Sequence, residues 1–214
     1  MLELIKTLKA EFEAKLADLD SQWVERTVSL PEEGEKAVVA IGMRRSGKTF
    51  CLFQKIRYFL DRSVPLSQIL YIDFEDDRLQ PINQSGLAEL LDSFYSLYPE
   101  NHKRIGYLFL DEIQNVEGWA LVIRRYLNTK NVRIYLSGSS AKLLSKEIAT
   151  SLRGRSLPVE IWPFSFQEYL SSKGEKSWKK YLSRGEKDVY GQYLRDYLTE
   201  GGLPEVVGKL ERIT

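Results

Sequence analysis

The sequence has one cysteine and one histidine in 214 residues. The lone thiol, Cys51, cannot close an internal disulfide, so a reducing compartment is the simplest setting. The lone His102, in the polar stretch "YPENHKR", has no second histidine or cysteine at ligand spacing, which argues against a zinc-type site. An excess of either charge is also missing. The formal net charge is +1, so charge gives no support for binding nucleic acid or a membrane surface. A longer form could still acquire nucleic-acid contacts through other segments.

Long apolar runs are absent too. The first thirty residues are interrupted by charges throughout, so neither a signal peptide nor a membrane span is expected there. A cytoplasmic location follows as the expectation. There is no internal repeat, no low-complexity tract and no Asn-Lys-x-Asp motif for reading a guanine base. What remains is an ordinary globular composition, 43% hydrophobic and 29% charged, long enough for one sizeable core.

Apolar residues Leu2, Ile5, Leu8, Phe12, Leu16, Leu19 and Trp23 recur every three or four positions. That stripe predicts an amphipathic helix, docked on the main domain or offered to a partner. "PEEGEK" then acts as a short joint. Beyond it, short apolar runs alternate with helical stretches. Strands are predicted at 38–41, "QILYIDFE", "IGYLFLDE", "VRIYLSGS" and "SLPVEIW". Helices are predicted over 48–60, 87–97, 119–127 and "SAKLLSKEIATSL". This alternation, with continuously apolar strands, implies an α/β fold whose mostly parallel sheet is covered on both faces. Pro158 suits an edge strand. Ser165 and Glu168 have capping-box spacing before the helix "FQEYL". The polar stretch after it reads as a loop or short surface helix. A final helix, a Gly-Gly break and the start of another helix follow.

The stretch "VVAIGMRRSGKTF" carries the chemistry. Gly42 to Thr49 matches G-x-x-x-x-G-K-[ST] in full, after a predicted strand and before a predicted helix. Glycines let the backbone wrap closely, so successive N–H groups can face phosphate oxygens, and the helix adds its positive end. The candidate cradle comprises Gly42, Arg44, Arg45, Ser46, Gly47, Lys48, Thr49 and Phe50. Lys48 reaches the β and γ phosphates, and Thr49 offers a hydroxyl to Mg²⁺. Arg44 and Arg45 add charge, brace the loop against acids, or are simply solvated.

A cradle alone only binds. "YLFLDE" supplies an Mg²⁺-side acid, Asp111, and a neighbouring general base, Glu112. Glu75, after the second strand, is a rival base; the acids near it read otherwise as a solvated strand end or as partners of arginines. Ser137, Ser139 or Ser140 ends near the γ-phosphate if the fourth strand lies between the first and third; a turn and helix cap is the alternative. Arg153 and Arg155 in "SLRGRS" are candidates for an arginine finger, or are surface arginines.

"IGMRRSGKT", "YLFLDEIQNVEGW", "YLSGSSAKLLSKEIATSLRGRSLPVEIWPFSFQEYL" and "GGLPEV" together resemble the AAA-superfamily ATPases of bacteria and archaea in which the ATPase domain precedes a nuclease-like C-terminal domain. The resemblance runs from about residue 37 to residue 207. It implies a P-loop NTPase with a five-stranded parallel sheet in order 5-1-4-3-2, ATP and Mg²⁺ as ligands, and an oligomer if the finger acts between chains. It favours Arg155 over Arg153, and makes Gly202 and Pro204 adenine-side candidates that open a helical lid. The expected division is an N-terminal helix over 1–30, an ATPase core over 31–170 and a partial lid over 171–214. Family members usually continue well past this lid element, so an incomplete lid and an absent output domain are expected. ATP hydrolysis driving a conformational change is the expected function. A nucleotide switch with little turnover is the alternative, and a small-molecule kinase fits less well.

Overall fold

The computed structural model describes residues 1–18, 23–139, 152–175 and 183–207. Five strands form one sheet: β1 (Ala37–Gly42), β2 (Ile69–Asp73), β3 (Gly106–Asp111), β4 (Val132–Ser139) and β5 (Ser156–Glu160). All pairings are parallel, and the order is β2-β3-β4-β1-β5. This is the expected order, with Pro158 on the edge strand β5. The main helices are α1 (Leu2–Asp18), α2 (Lys48–Leu60), α3 (Gln84–Leu97), α4 (Trp119–Thr129), α5 (Phe166–Ser172) and α6 (Arg184–Glu200), with the short α7 (Pro204–Val207).

The period of two along each strand sorts side chains to opposite faces. In β1, Val39 and Ile41 join a core with Leu70, Ile72, Leu108, Leu110 and Leu136, covered by α3 and α4. Val38 and Ala40 face the other way, with Tyr71, Phe109 and Tyr135, beneath α2. Leu52, Ile56 and Phe59 of α2 are all buried there, as their spacing predicts. Because both faces are covered, polar side chains can gather only at the strand ends.

Helix α1 docks on the main domain. Ile5 and Leu8 enter one core, and Phe12 enters the other, stacked on Tyr71 at 5.2 Å between ring centres. The helix thus straddles the β2 edge of the sheet. Lys9, 3% exposed, donates to the carbonyls of Leu66 and Ile69 at 2.9 and 3.1 Å. Burial pushes its ammonium below the ordinary lysine range, partly offset by Glu13. An edge carbonyl that could pair with another chain is thereby capped from within.

Most predicted boundaries agree with the structure to within a few residues. One differs. The stretch after Ser172 was expected to be loop or a short surface helix, yet α6 already begins at Arg184. Ser183 and Glu186 form a full capping box there, a second Ser-x-x-Glu that pairs the N–H groups of Glu186 and Ser183. The Ser165–Glu168 box is present as expected. The helix expected over "SAKLLSKEIATSL" lies almost wholly outside the described residues.

Phe12 tests the docking of α1. Phe12→Ala removes a ring that touches both Phe53 and Tyr71 in the core. Urea unfolding is expected to show a loss of about 3–5 kcal/mol. A change within error would mean that α1 does not contribute to the core.

Candidate functional site

The C-terminal ends of β1, β3 and β4 converge because β4 lies between the other two. The loop after β1 turns through Arg45 at φ 67° and Gly47 at φ 94°, then enters α2 at Lys48. Gly42 has no room for a side chain. A Cβ there would lie 2.3 Å from the Ile161 carbonyl oxygen and 2.8 Å from Ser46 Oγ. The first glycine of the motif therefore serves close packing, and the second supplies the left-handed turn.

Inside the loop, Lys48 is 5% exposed. Its Nζ donates to the Met43 carbonyl at 3.2 Å and lies 3.7 Å from Glu112 Oε1. Residues 64 positions apart in sequence (112 minus 48) therefore meet at one point, and the rival Glu75 does not. Glu75 is instead exposed, 4.0 Å from Arg44, as the arginine-partner alternative expected. Arg45 pairs with Glu205 of α7 at 2.7 Å. Both loop arginines thus have acidic neighbours, although both are largely exposed.

Asp111 ends β3 and is 1% exposed. Its carboxylate accepts from the Tyr71 hydroxyl at 2.9 Å and from the Ser137 hydroxyl. Ser137 in turn accepts from the Glu112 N–H at 3.1 Å. Ser137 thus links Asp111 to the backbone of Glu112, which turns at φ 51° to leave the strand. Gln114 donates its side-chain amide to Glu112, while its Oε1 is buried without a partner. The Tyr71 hydroxyl is pushed well above the ordinary phenol range by burial and by the Asp111 charge. It stays a proton donor to Asp111.

Several predicted residues are brought together: the 42–49 loop, Asp111, Glu112 and Ser137. Gly202 packs on Phe164. Its carbonyl accepts from Phe164 N–H at 2.7 Å, and a Cβ on Gly202 would lie 2.4 Å from the Phe164 carbonyl oxygen. A Cβ on Gly47 would sit 3.6 Å from Pro204 Cγ, so the Gly-Gly-x-Pro element borders the loop. Thr49 is half-buried in the first turn of α2, and Phe50 is exposed beside Trp23. The side chain of Ser139 and all of Ser140 lie outside the described residues.

Arg153 and Arg155 are not brought to this site. Arg155 hands its carbonyl to the Ala37 N–H at the start of β1 and its guanidinium to Asn128. The loop starts at the other end of β1, about 15–17 Å away at roughly 3.3 Å per residue. A finger acting on its own loop is therefore corrected: both arginines precede β5, at the N-terminal end of the strands.

Sequence reasoning missed Arg26. It is 5% exposed and reaches the Ser46 carbonyl at 2.8 Å, Glu168 at 3.0 Å and the Trp162 carbonyl at 2.6 Å. No motif marks it, because its partner Glu168 is 142 residues away. The signal that existed was a capping-box glutamate with a second, buried task.

The ligand fit can be judged from the loop itself. Ser46 Oγ is buried and has no partner, and Lys48 is held in the loop by a carbonyl. A buried lysine held within a glycine loop at a helix start suits a polyphosphate. Asp111 and the Thr49 hydroxyl are the oxygen donors that a hard cation takes. Among the described residues there is no cluster of His, Cys, Asp and Glu that would hold a metal without such help.

The sequence profile of a family described as an AAA domain matches residues 34–170. The chain belongs to the AAA domain family. Domains of this family are generally ATPases. An uncharacterized protein of Methanocaldococcus jannaschii is 43% identical over 184 residues, covering 86% of this chain and 39% of that protein. An uncharacterized protein of Haemophilus influenzae is 33% identical over 169 residues, covering 79% of this chain and 40% of its own length. The AAA domain chain thus spans about two-fifths of the length of these relatives. Among solved structures, S. cerevisiae Hsp104 in its casein complex shares the fold, with a TM-score of 0.55 and 16% identity over 96% of this chain and 36% of that chain. Among the described residues of the AAA domain no helix is long and apolar enough to cross a membrane.

Cys51, just behind the loop, is buried. Burial raises its thiol to about 11 from an ordinary 9.0, against a lowering by Arg26. At pH 8 that leaves about a hundredfold less thiolate than in the unfolded chain. Ellman's reagent should therefore label the native protein far more slowly than the same protein in guanidinium; equal rates would contradict this packing.

Proposed function

We propose that this chain is an ATP-binding, Mg²⁺-dependent ATPase domain. The observation that carries the reading is the meeting of Lys48 and Glu112 across the loop, 3.7 Å apart. Such a pairing joins a phosphate-binding cation to a carboxylate placed to act on water. Lys48, Ser46 Oγ and the loop N–H groups would take the β and γ phosphates. Asp111 and Thr49 would hold Mg²⁺, which supplies charge neutralisation on the phosphates when bound. Gly202 and Pro204 would border the adenine. Glu112 would take a proton from water as its oxygen bonds to the γ-phosphorus and the bond to the bridging oxygen breaks, releasing ADP and phosphate.

Ser137 would position Asp111 and Glu112 by linking them, rather than sense the phosphate directly. Gln114 would orient Glu112 and offer its free Oε1 to the attacking water. Oligomers are common among AAA proteins. An arginine finger from Arg155 or Arg153, if one acts, would come from a second copy. A cytoplasmic setting fits the single buried thiol. The output domain expected from the resemblance would lie in the length that the relatives have outside the matched segment.

One observation favours a second reading, a nucleotide-dependent switch with little turnover. Glu112 is engaged by Lys48 and by Gln114. A base held in this way cannot activate water until the phosphate draws Lys48 away. Nucleotide would then act first by releasing Glu112, and a partner could read that state.

Phosphate release and nucleotide binding separate the readings. Glu112→Gln is expected to bind ATP and to lose turnover by about 10²–10⁴-fold. Lys48→Ala is expected to lose binding. Equal phosphate release by wild type and Glu112→Gln would overturn the assignment of the base, and unchanged affinity in Lys48→Ala would overturn the cradle. Tight binding by wild type without turnover would select the switch.

A further inference from the structure

The segment before the sheet is not a passive linker, because it delivers Arg26 under the loop. The guanidinium meets three segments far apart in sequence. Nη1 donates to the Ser46 carbonyl, Nη2 to the Trp162 carbonyl beyond β5, and Nε to Glu168 of α5. Its carbon lies 5.1 Å from the centre of the Phe164 ring. Glu168 is equally occupied. It accepts from the Thr27 N–H and hydroxyl, and from Ser165 N–H and Oγ in the capping box. Burial would push the Glu168 carboxyl up, but the N–H bonds from Ser165 and Thr27, together with Arg26, bring it below the ordinary range. Gln54 of α2 fixes the backbone of Arg26 by bonding both its N–H and its carbonyl.

The bond to Ser46 has a directional consequence. In a trans peptide the carbonyl and the next N–H point opposite ways. Arg26 draws the Ser46 carbonyl outward, toward the N-terminal segment. The Gly47 N–H, on the same peptide plane, must then face the inside of the loop. That is the donor that opens the helix end where phosphate would sit. The approach also depends on Gly47 itself, since a Cβ there would lie 2.7 Å from Arg26 Nη1. Phe164, against the guanidinium, bonds the Gly202 carbonyl through its N–H. The same clasp therefore touches the loop and the lid element together.

We propose that Arg26 is a positioning residue for phosphate binding: it orients the Ser46–Gly47 peptide so that the cradle's donors converge, with Glu168 holding the guanidinium in place. This rests on the ATP-binding reading above. The role differs from that of a buried ion pair kept only for packing. A packing pair would affect stability alone, whereas a positioning pair also affects affinity for the phosphates.

The test uses the whole chain, as wild type, Arg26→Lys, Glu168→Gln and Lys48→Ala. Affinities for Mg·ATP and for Mg·tripolyphosphate are measured at a temperature where circular dichroism shows each variant folded, alongside urea midpoints without ligand. A lysine keeps the charge but cannot span the three acceptors. Arg26→Lys is expected to weaken both ligands alike, by about tenfold or more, because the defect lies on the phosphate side. Glu168→Gln is expected to weaken both in the same direction, by less. Wild-type affinity in a folded Arg26→Lys with a lowered urea midpoint would overturn the proposal and leave a purely structural clasp. Loss of ATP affinity with tripolyphosphate unchanged would also overturn it, placing the effect on the base side. If Arg26→Lys does not fold, Glu168→Gln decides by the same two ligands. Failure of wild type to bind ATP, or binding by Lys48→Ala at wild-type strength, would sink the nucleotide reading itself and the proposal with it.

Discussion

All five strands run in one direction, and both faces of their sheet are covered by helices. That constraint governs the rest of the molecule. The strands must be apolar through their length, so charged and hydroxyl side chains are driven to the ends. At the C-terminal ends the chain turns out of β1 into a helix, out of β3 through Asp111 and Glu112, and along β4 past Ser137. A three-strand neighbourhood in the order β3-β4-β1 then makes one polar cluster from three distant stretches. Arg155 lies at the opposite, N-terminal end of the strands, where its guanidinium donates to Asn128.

The cluster is kept in shape by groups that do not themselves face phosphate. Tyr71 and Ser137 hold Asp111, and Ser137 also holds the Glu112 backbone. Arg26 and Glu168 hold the loop from beneath. Burying that pair carries a desolvation cost, which is met only because nearly every donor and acceptor finds a partner. The cost is consistent with a loop whose conformation is under demand. Among the described residues, four buried side-chain oxygens lack a partner; two of them, Ser46 Oγ and Gln114 Oε1, belong to the loop and to the neighbour of Glu112.

Much of this was legible beforehand for identifiable reasons. Helix α2 was read to its ends because Gly47 and the Lys-Thr after it mark a start, and Leu52, Ile56 and Phe59 mark the inner face. Asp111 and Glu112 were legible as candidates because their apolar run follows a phosphate-loop motif in the same chain; alone, such a run is common. The start of α6 was misread because "SSKGEKSWKKYLSRGEKD" is mostly polar, and the cue at its helix start, Ser183-x-x-Glu186, is short. Arg153 and Arg155 drew attention as a basic pair in "SLRGRS", yet where they fall depends on how the segment before β5 enters the sheet. Arg26 was not visible in any pattern.

The difference between the two groups is one of range. Local spacing determined the elements, the cradle and the acidic strand end, because capping, periodicity and tight turns act over a few residues. The tertiary structure alone decided which carboxylate meets Lys48, which end of the strands receives Arg155, and what Arg26 supports. Those outcomes depend on strand order and on contacts between residues up to 142 positions apart, to which no local preference refers.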